Sequence, residues 1–140
     1  MKKALLSIIA LGQLIICMGQ TPQLTSALFD LPNLSFEEIK APEGFKSAYE
    51  LRVKQPIDHT NPSKGHFYQR VFLSHKGFEN INVIVTEGYQ RTKNRVYELT
   101  ELLDANQIQV EHRYCGISLP DSMDYQYLTL EQATADLHNI

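Results

Sequence analysis

Glu111-His112-Arg113-Tyr114 sets a carboxylate, an imidazole, a guanidinium and a phenol on consecutive residues, with Cys115 and Ser118 close behind. Two of these types could act as nucleophiles, but a hydroxyl or thiol needs an adjacent base, and that base needs an orienting group. A serine that attacks from a strand-to-helix turn sits in a Gly-x-Ser-x-Gly elbow. Gly116-Ile117-Ser118 continues into Leu119-Pro120, so no glycine closes such an elbow, and the string occurs nowhere else in the chain. Ser118 is therefore set aside, Cys115 reads as packing, and no catalytic residue is assigned. Two roles stay open for the cluster. A buried Glu–Arg pair with a hydrogen-bonded histidine anchors a strand end, because buried charges need partners. Alternatively Glu111 or Tyr114 touches substrate, Glu111 holding the free amine of a peptide.

Other site chemistries find little support. His59, His66, His75, His112 and His138 are scattered, without HExxH or any other metal-ligand spacing, so neither metal nor cofactor is expected. There is no basic run or basic–aromatic stripe, which excludes nucleic acid as an expected partner.

The elements that must carry the cluster follow from periodicity. Tyr49, Leu51, Val53 and Ile57 alternate with charged residues as in a half-buried strand, which Pro56 limits at its end. Asp58 to Gly65 is rich in turn formers, and Phe67 to Ser74 is a second strand, giving an antiparallel hairpin. Ile81 to Thr86 is nearly continuous and β-branched, as in a strand buried on both faces of a parallel sheet. Val96, Leu99, Leu102 and Leu103 predict a helix over Arg95–Ala105, with Glu98 and Glu101 facing away. Ile108 to Glu111 is the next strand, placing the reactive cluster at its carboxyl end, where open α/β sheets bind ligands. Thr129 and Gln132 form a capping box that opens a helix with Leu130, Ala133, Leu137 and Ile140 on one stripe. The fold class is α/β: an antiparallel hairpin leading into a parallel βαβα sheet, incomplete because the last helix has no strand after it.

The segments before the hairpin read differently. Lys2 and Lys3, the apolar stretch Ala4–Ile16 and the small residues Cys17 and Gly19 form a secretory signal peptide over residues 1–19. Lipoprotein anchoring at Cys17 is a lesser alternative, disfavoured by Ile16 before it. Cleavage leaves a net charge of −5 and Cys115 alone, so no intrachain disulfide or CxxC pair exists in the mature chain. That suits an exported protein of a periplasm or exterior. Residues 20–46 form an N-terminal arm, with three prolines and one short helical turn at Ser35 to Glu38. Residues 47–140 form the sheet-bearing domain. The chain has 140 residues, while single α/β domains of this kind commonly need about 200–250.

Two strings give a more specific signal. Glu111-His112-Arg113-Tyr114-Cys115-Gly116-Ile117-Ser118, followed by Tyr127-Leu128-Thr129-Leu130-Glu131-Gln132-Ala133-Thr134-Ala135-Asp136, resembles the secreted bacterial tripeptidyl aminopeptidases. These are related to proline-specific serine carboxypeptidases and dipeptidyl peptidases. Gln55 to His59 and Thr86 to Tyr89 are similar too, so the resemblance covers Tyr49 to Ile140. It implies the N-terminal part of an α/β-hydrolase fold, with a Ser–Asp–His triad whose members all lie beyond Ile140, leaving this piece inactive alone. It also implies an oxyanion donor in the loop after an early central strand. Here that loop is Glu87-Gly88-Tyr89-Gln90, with Gly88 allowing close approach and the Tyr89 N–H as donor; a tight turn that merely needs glycine is the other reading. The expected function is exported serine-type peptidase, an aminopeptidase releasing short peptides such as tripeptides. Its partner would be a peptide. A non-catalytic peptide-binding module or another α/β hydrolase, such as an esterase, is the alternative.

Overall fold

The computed structural model describes residues 23–140, so the expected signal peptide of residues 1–19 lies outside the described residues. The first elements are α1 (Gln23–Phe29) and β1 (Leu34–Ile39). β2 (Ser47–Pro56) and β3 (His66–His75) follow, then β4 (Asn82–Thr86), α2 (Glu98–Leu102), β5 (Asn106–Val110) and α3 (Leu130–Asn139). One five-stranded mixed sheet has the order β1-β2-β3-β5-β4. Neighbours are antiparallel except β4 and β5, which run parallel. Among the described residues no helix is long and apolar enough to cross a membrane.

The hairpin forms as its alternation predicts. β2 and β3 pair without a slip from Ser47↔His75 to Pro56↔His66. Register is fixed because one face is buried: Tyr49, Leu51 and Val71 join Leu28 of α1 and Val110 of β5 in a single core, and Leu137 of α3 and Ile140 just after it pack onto it. α1 and α3 therefore cover the Ile108/Val110 face. Gln107 and Gln109 point the other way, since side chains alternate along a strand, and Thr100 of α2 hydrogen-bonds Gln107. α2 thus lies on the opposite face from α3.

Four expectations are corrected. The arm is not a surface strap with a helical turn at Ser35–Glu38. Those residues belong to β1, an edge strand paired with β2 from Leu34↔Val53 to Ile39↔Ala48, because Phe36 gains an edge-to-face contact with Tyr49 at 5.7 Å while the ladder satisfies the backbone. The helix expected over Arg95–Ala105 shortens to Glu98–Leu102: the Arg95 and Tyr97 N–H groups donate to Gln109 and Gln107, so the chain stays extended before them. Its leucines do not form a buried stripe, and Leu99, Leu102 and Leu103 are exposed. β4 is not buried on both faces. It pairs only with β5 and alternates between half-buried and exposed residues, with Ile84 49% exposed.

Gln107 carries much of the α2 connection. Its Oε1 accepts from the Tyr97 N–H at 2.9 Å and the Thr100 hydroxyl at 2.7 Å, and its Nε2 donates to the Arg95 carbonyl at 2.9 Å. Gln107→Ala strands these buried groups, and urea unfolding should report a loss of about 1–3 kcal/mol. A loss below ~0.5 kcal/mol would show that water satisfies them instead.

Candidate active site

The loops after β4 and β5 meet at the carboxyl ends of the only parallel pair in the described sheet. Glu111 follows β5 immediately and is fully buried. Its Oε1 accepts the Arg91 N–H at 2.7 Å. Its Oε2 accepts the Ile117 N–H at 3.1 Å, the Ser118 N–H at 3.2 Å and the Ser118 hydroxyl at 2.7 Å. The turn that supplies these donors needs Gly116, whose φ is +55 and whose added Cβ would stand 2.1 Å from Glu111 Oε1. Arg70 Nη1, 3.9 Å from the carboxylate, is the nearest cation and also donates to the Arg91 carbonyl at 2.6 Å. With both oxygens engaged inside the protein, the geometry favours the anchoring reading of Glu111 over contact with substrate.

Ser118 is equally occupied. Buried and bonded to Glu111 while its Oγ accepts the Arg70 N–H at 3.0 Å, it has no histidine partner among the described residues. Cys115 is no nucleophile by environment either: burial and the nearby Glu111 charge push its thiol above the ordinary value, which keeps it protonated.

Gly88 and Tyr89 form the bend after β4. No described atom lies within 4 Å of a Cβ placed on Gly88, and Tyr89 is exposed. The Tyr89 carbonyl accepts the His112 N–H at 3.3 Å, and the Gly88 carbonyl lies 3.9 Å from Cys115 Sγ. The Tyr89 N–H makes no hydrogen bond among the described residues. Nearby, Glu87 pairs with the Arg91 guanidinium and accepts the Tyr97 hydroxyl; these bonds, the Arg91 one foremost, hold its carboxyl below the usual value.

Arg113 is where the sequence reading was least complete. Its side chain is entirely buried, and all five of its donor directions find acceptors. Nε and Nη2 grip Asp136 Oδ2 and Oδ1 at 2.7 and 2.8 Å. The remaining N–H groups reach the carbonyls of Pro56, Ile57 and Tyr127 at 3.2, 3.1 and 2.8 Å. His59 Nε2 lies 2.7 Å from Asp136 Oδ1, and Gln132 joins the same turn, accepting the His59 N–H and donating to Asp58. Periodicity singled out neither Asp136 nor His59. The available signal was an acid beside Ala133 and Leu137 on the buried stripe of α3, where a charge requires a partner. Thr129 caps α3 by accepting the Gln132 N–H at 3.3 Å, but the Gln132 side chain leaves the capping box for the Asp58–His59 turn.

Tyr114 takes a left-handed φ of +65, uncommon for a bulky residue. Its ring stands edge-on to Phe67 and Tyr125, and its buried hydroxyl has no partner among the described residues. Burial pushes that hydroxyl above its ordinary pKa. Arg113, Asp136, His112, Thr86 and Glu87 help line a cavity of about 40 Å³ between the two strand ends and α3. Among the described residues no group of three or more His, Cys, Asp or Glu side chains is arranged to hold a metal ion.

Comparison with known proteins agrees with the two strings. The family model described as PS-10 peptidase S37 matches residues 20–140. The chain is similar to a prolyl tri/tetrapeptidyl aminopeptidase of Streptomyces mobaraensis, 32% identical over all of this chain and 32% of that protein. It is also similar to the serine protease vicPb of Bipolaris victoriae (strain FI3), 34% identical over 59% of this chain and 18% of that protein. The chain thus spans about a third or less of the length of these relatives.

Asp136→Ala would leave the buried Arg113 uncompensated, at a cost of about 3–5 kcal/mol. Replacing both partners by leucine should recover a large part of that in the same denaturation experiment. A double variant as unstable as the single one would contradict this assignment.

Proposed function

The chain belongs to the PS-10 peptidase S37 family, and from that premise we propose that it supplies the early part of an exported serine-type aminopeptidase. The reaction is acyl transfer: a serine attacks the peptide carbonyl, a histidine takes its proton, and water later releases the short N-terminal peptide. Substrates are peptides with free N-termini, from which short peptides such as tripeptides are released; the name of the Streptomyces relative, a tri/tetrapeptidyl aminopeptidase, supports this. Export rests on the leader of Lys2, Lys3 and the apolar stretch to Ile16.

The observation that carries the reading is the parallel β4–β5 pair with helices on opposite faces. The β4–α2–β5 crossover uses one face, taken as right-handed as such connections almost always are, and α3 lies on the other. A right-handed crossover through α3 then runs back past β4 and delivers the next strand to its free edge. That reversal makes a topological switch point, and ligands in open α/β sheets bind beside it at the carboxyl ends of the strands. An α/β-hydrolase sheet has such a reversal, which supports the reading. The nucleophile follows α3, and Gly88 and Tyr89 sit next to where it arrives. The Tyr89 N–H, which has no partner in the described residues, is the oxyanion donor. Tyr114 is the remaining substrate-contact candidate, its hydroxyl kept protonated as a donor.

The test uses the protein translated past Ile140 to its natural stop. A fluorophosphonate should label one serine in a Gly-x-Ser-x-Gly turn and abolish tripeptide release from a peptide substrate. A folded protein that neither labels nor cleaves would leave a peptide-binding module, and labelling with ester but no peptide hydrolysis would leave an esterase. In the active enzyme, Tyr89→Pro deletes the proposed donor and should lower kcat by about 100- to 1000-fold. Tyr89→Ala keeps the N–H and should lose far less; equal losses would reject the backbone donor.

A further inference from the structure

We infer that Glu111 is a positioning residue for catalysis, acting through Arg91 to hold the Gly88–Tyr89 bend; the inference rests on the proposed function. Three contacts fix that bend from the side of the β5 loop. Glu111 Oε1 accepts the Arg91 N–H at 2.7 Å, while Arg70 Nη1 donates to the Arg91 carbonyl at 2.6 Å, so Arg91 is held through both of its backbone polar groups. The His112 N–H donates to the Tyr89 carbonyl at 3.3 Å. The Gly88 carbonyl faces Cys115 Sγ at 3.9 Å. In a trans peptide the C=O and the next N–H point in opposite directions. The Tyr89 N–H therefore points away from the Cys115 thiol.

The same carboxylate anchors the second loop through Ile117 and Ser118. Among the described residues Glu111 is thus the one side chain bonded to both loops at the site, Oε1 serving the first and Oε2 the second. A glutamate suits this because an ionised carboxylate only accepts, and all four of its partners donate. Glutamine has the same shape but offers one acceptor atom and one NH₂. It satisfies one loop and sets a donor against the donors of the other. The carboxylate fills the space that a Cβ at position 116 would need, 2.1 Å from Oε1, so the turn that brings the Ile117 and Ser118 donors to it requires glycine. Displacement of a catalytic group by about 1 Å can cost roughly 100-fold in rate, and a loosened bend would do this without removing any contact to the peptide itself.

The experiment compares the full-length enzyme with its Glu111→Gln and Ser118→Ala variants, counting active sites by fluorophosphonate titration so that misfolded protein does not enter the rate. Glu111→Gln should lower kcat per titrated site by about 10- to 100-fold, with KM within about threefold of wild type. Ser118→Ala, which removes one donor to Oε2, should give a smaller fall of the same kind, and it decides the matter if Glu111→Gln does not fold. A rise in KM at unchanged kcat would make Glu111 a substrate contact and overturn the inference. So would rates per site within about twofold of wild type in every variant that folds, since a purely structural residue lowers the number of sites and not their turnover. A wild-type enzyme that neither labels nor cleaves would instead defeat the proposed function.

Discussion

The buried Arg113–Asp136 pair is the constraint on which the rest of the site depends. It joins the segment after β5 to the middle of α3, and through the Pro56, Ile57 and Tyr127 carbonyls it gathers the hairpin end and the approach to α3 onto one guanidinium. Taking both charges out of water is costly, and such pairs seldom add net stability over a well-packed apolar replacement. What the pair adds is geometry. A bidentate fork with every N–H satisfied has one orientation, so the start and direction of α3 are set relative to β5. His59 and Gln132 tighten the same joint from the hairpin turn.

Around that joint the sheet is held by polar side chains as much as by its apolar core. Gln107 and Gln109 of β5 and Glu111 just after it lie on one face, all fully buried, and they accept the N–H groups of Tyr97, Arg95 and Arg91 in turn. The segment from Arg91 to Tyr97 is thereby laid along the strand in the reverse direction, as if paired to a ladder made of side chains. Gln55 and Gln69 do similar work on the other side: Gln55 donates to Gln69 and to the Asp136 carbonyl, and Gln69 donates to the Glu111 carbonyl. Buried polar networks specify one arrangement when all members are satisfied. Here the arrangement they specify is the relative placement of the two loops beside the proposed oxyanion donor.

Much of this was legible in the sequence, and the failures share a cause. The hairpin, the β4–β5 pair and α3 with its Thr129 cap declared themselves by period and turn chemistry. The two strings at Glu111 and Tyr127 identified the family, which the match over residues 20–140 bears out. Reading by periodicity, however, treats polar positions as solvent-facing. That is why periodicity gives no sign of Gln107 and Gln109 and makes α2 too long: the glutamines bond the Arg95 and Tyr97 N–H groups, and Gln107 donates to the Arg95 carbonyl that a longer helix would use as an acceptor. Ser35 to Glu38 looked like a helix start because Ser followed by Glu-Glu favours one locally, yet pairing with β2 prevailed. Asp136 and Arg113 lie 23 residues apart, too far for any local pattern to join them, though an aspartate on an apolar helix stripe was the available clue. Ile84 and the α2 leucines carry a core composition on surfaces that the described residues leave open.

The central claim is that the bend after β4 presents a backbone donor to a carbonyl oxygen made reactive by a serine arriving after α3. A crystal structure of the full-length protein carrying a covalent phosphonate tests this most directly. The account predicts the adduct's phosphoryl oxygen within about 2.7–3.1 Å of the Tyr89 nitrogen, on a new strand beside β4. A serine adduct lying away from the carboxyl end of β4, or a phosphoryl oxygen bound wholly by other groups, would contradict it.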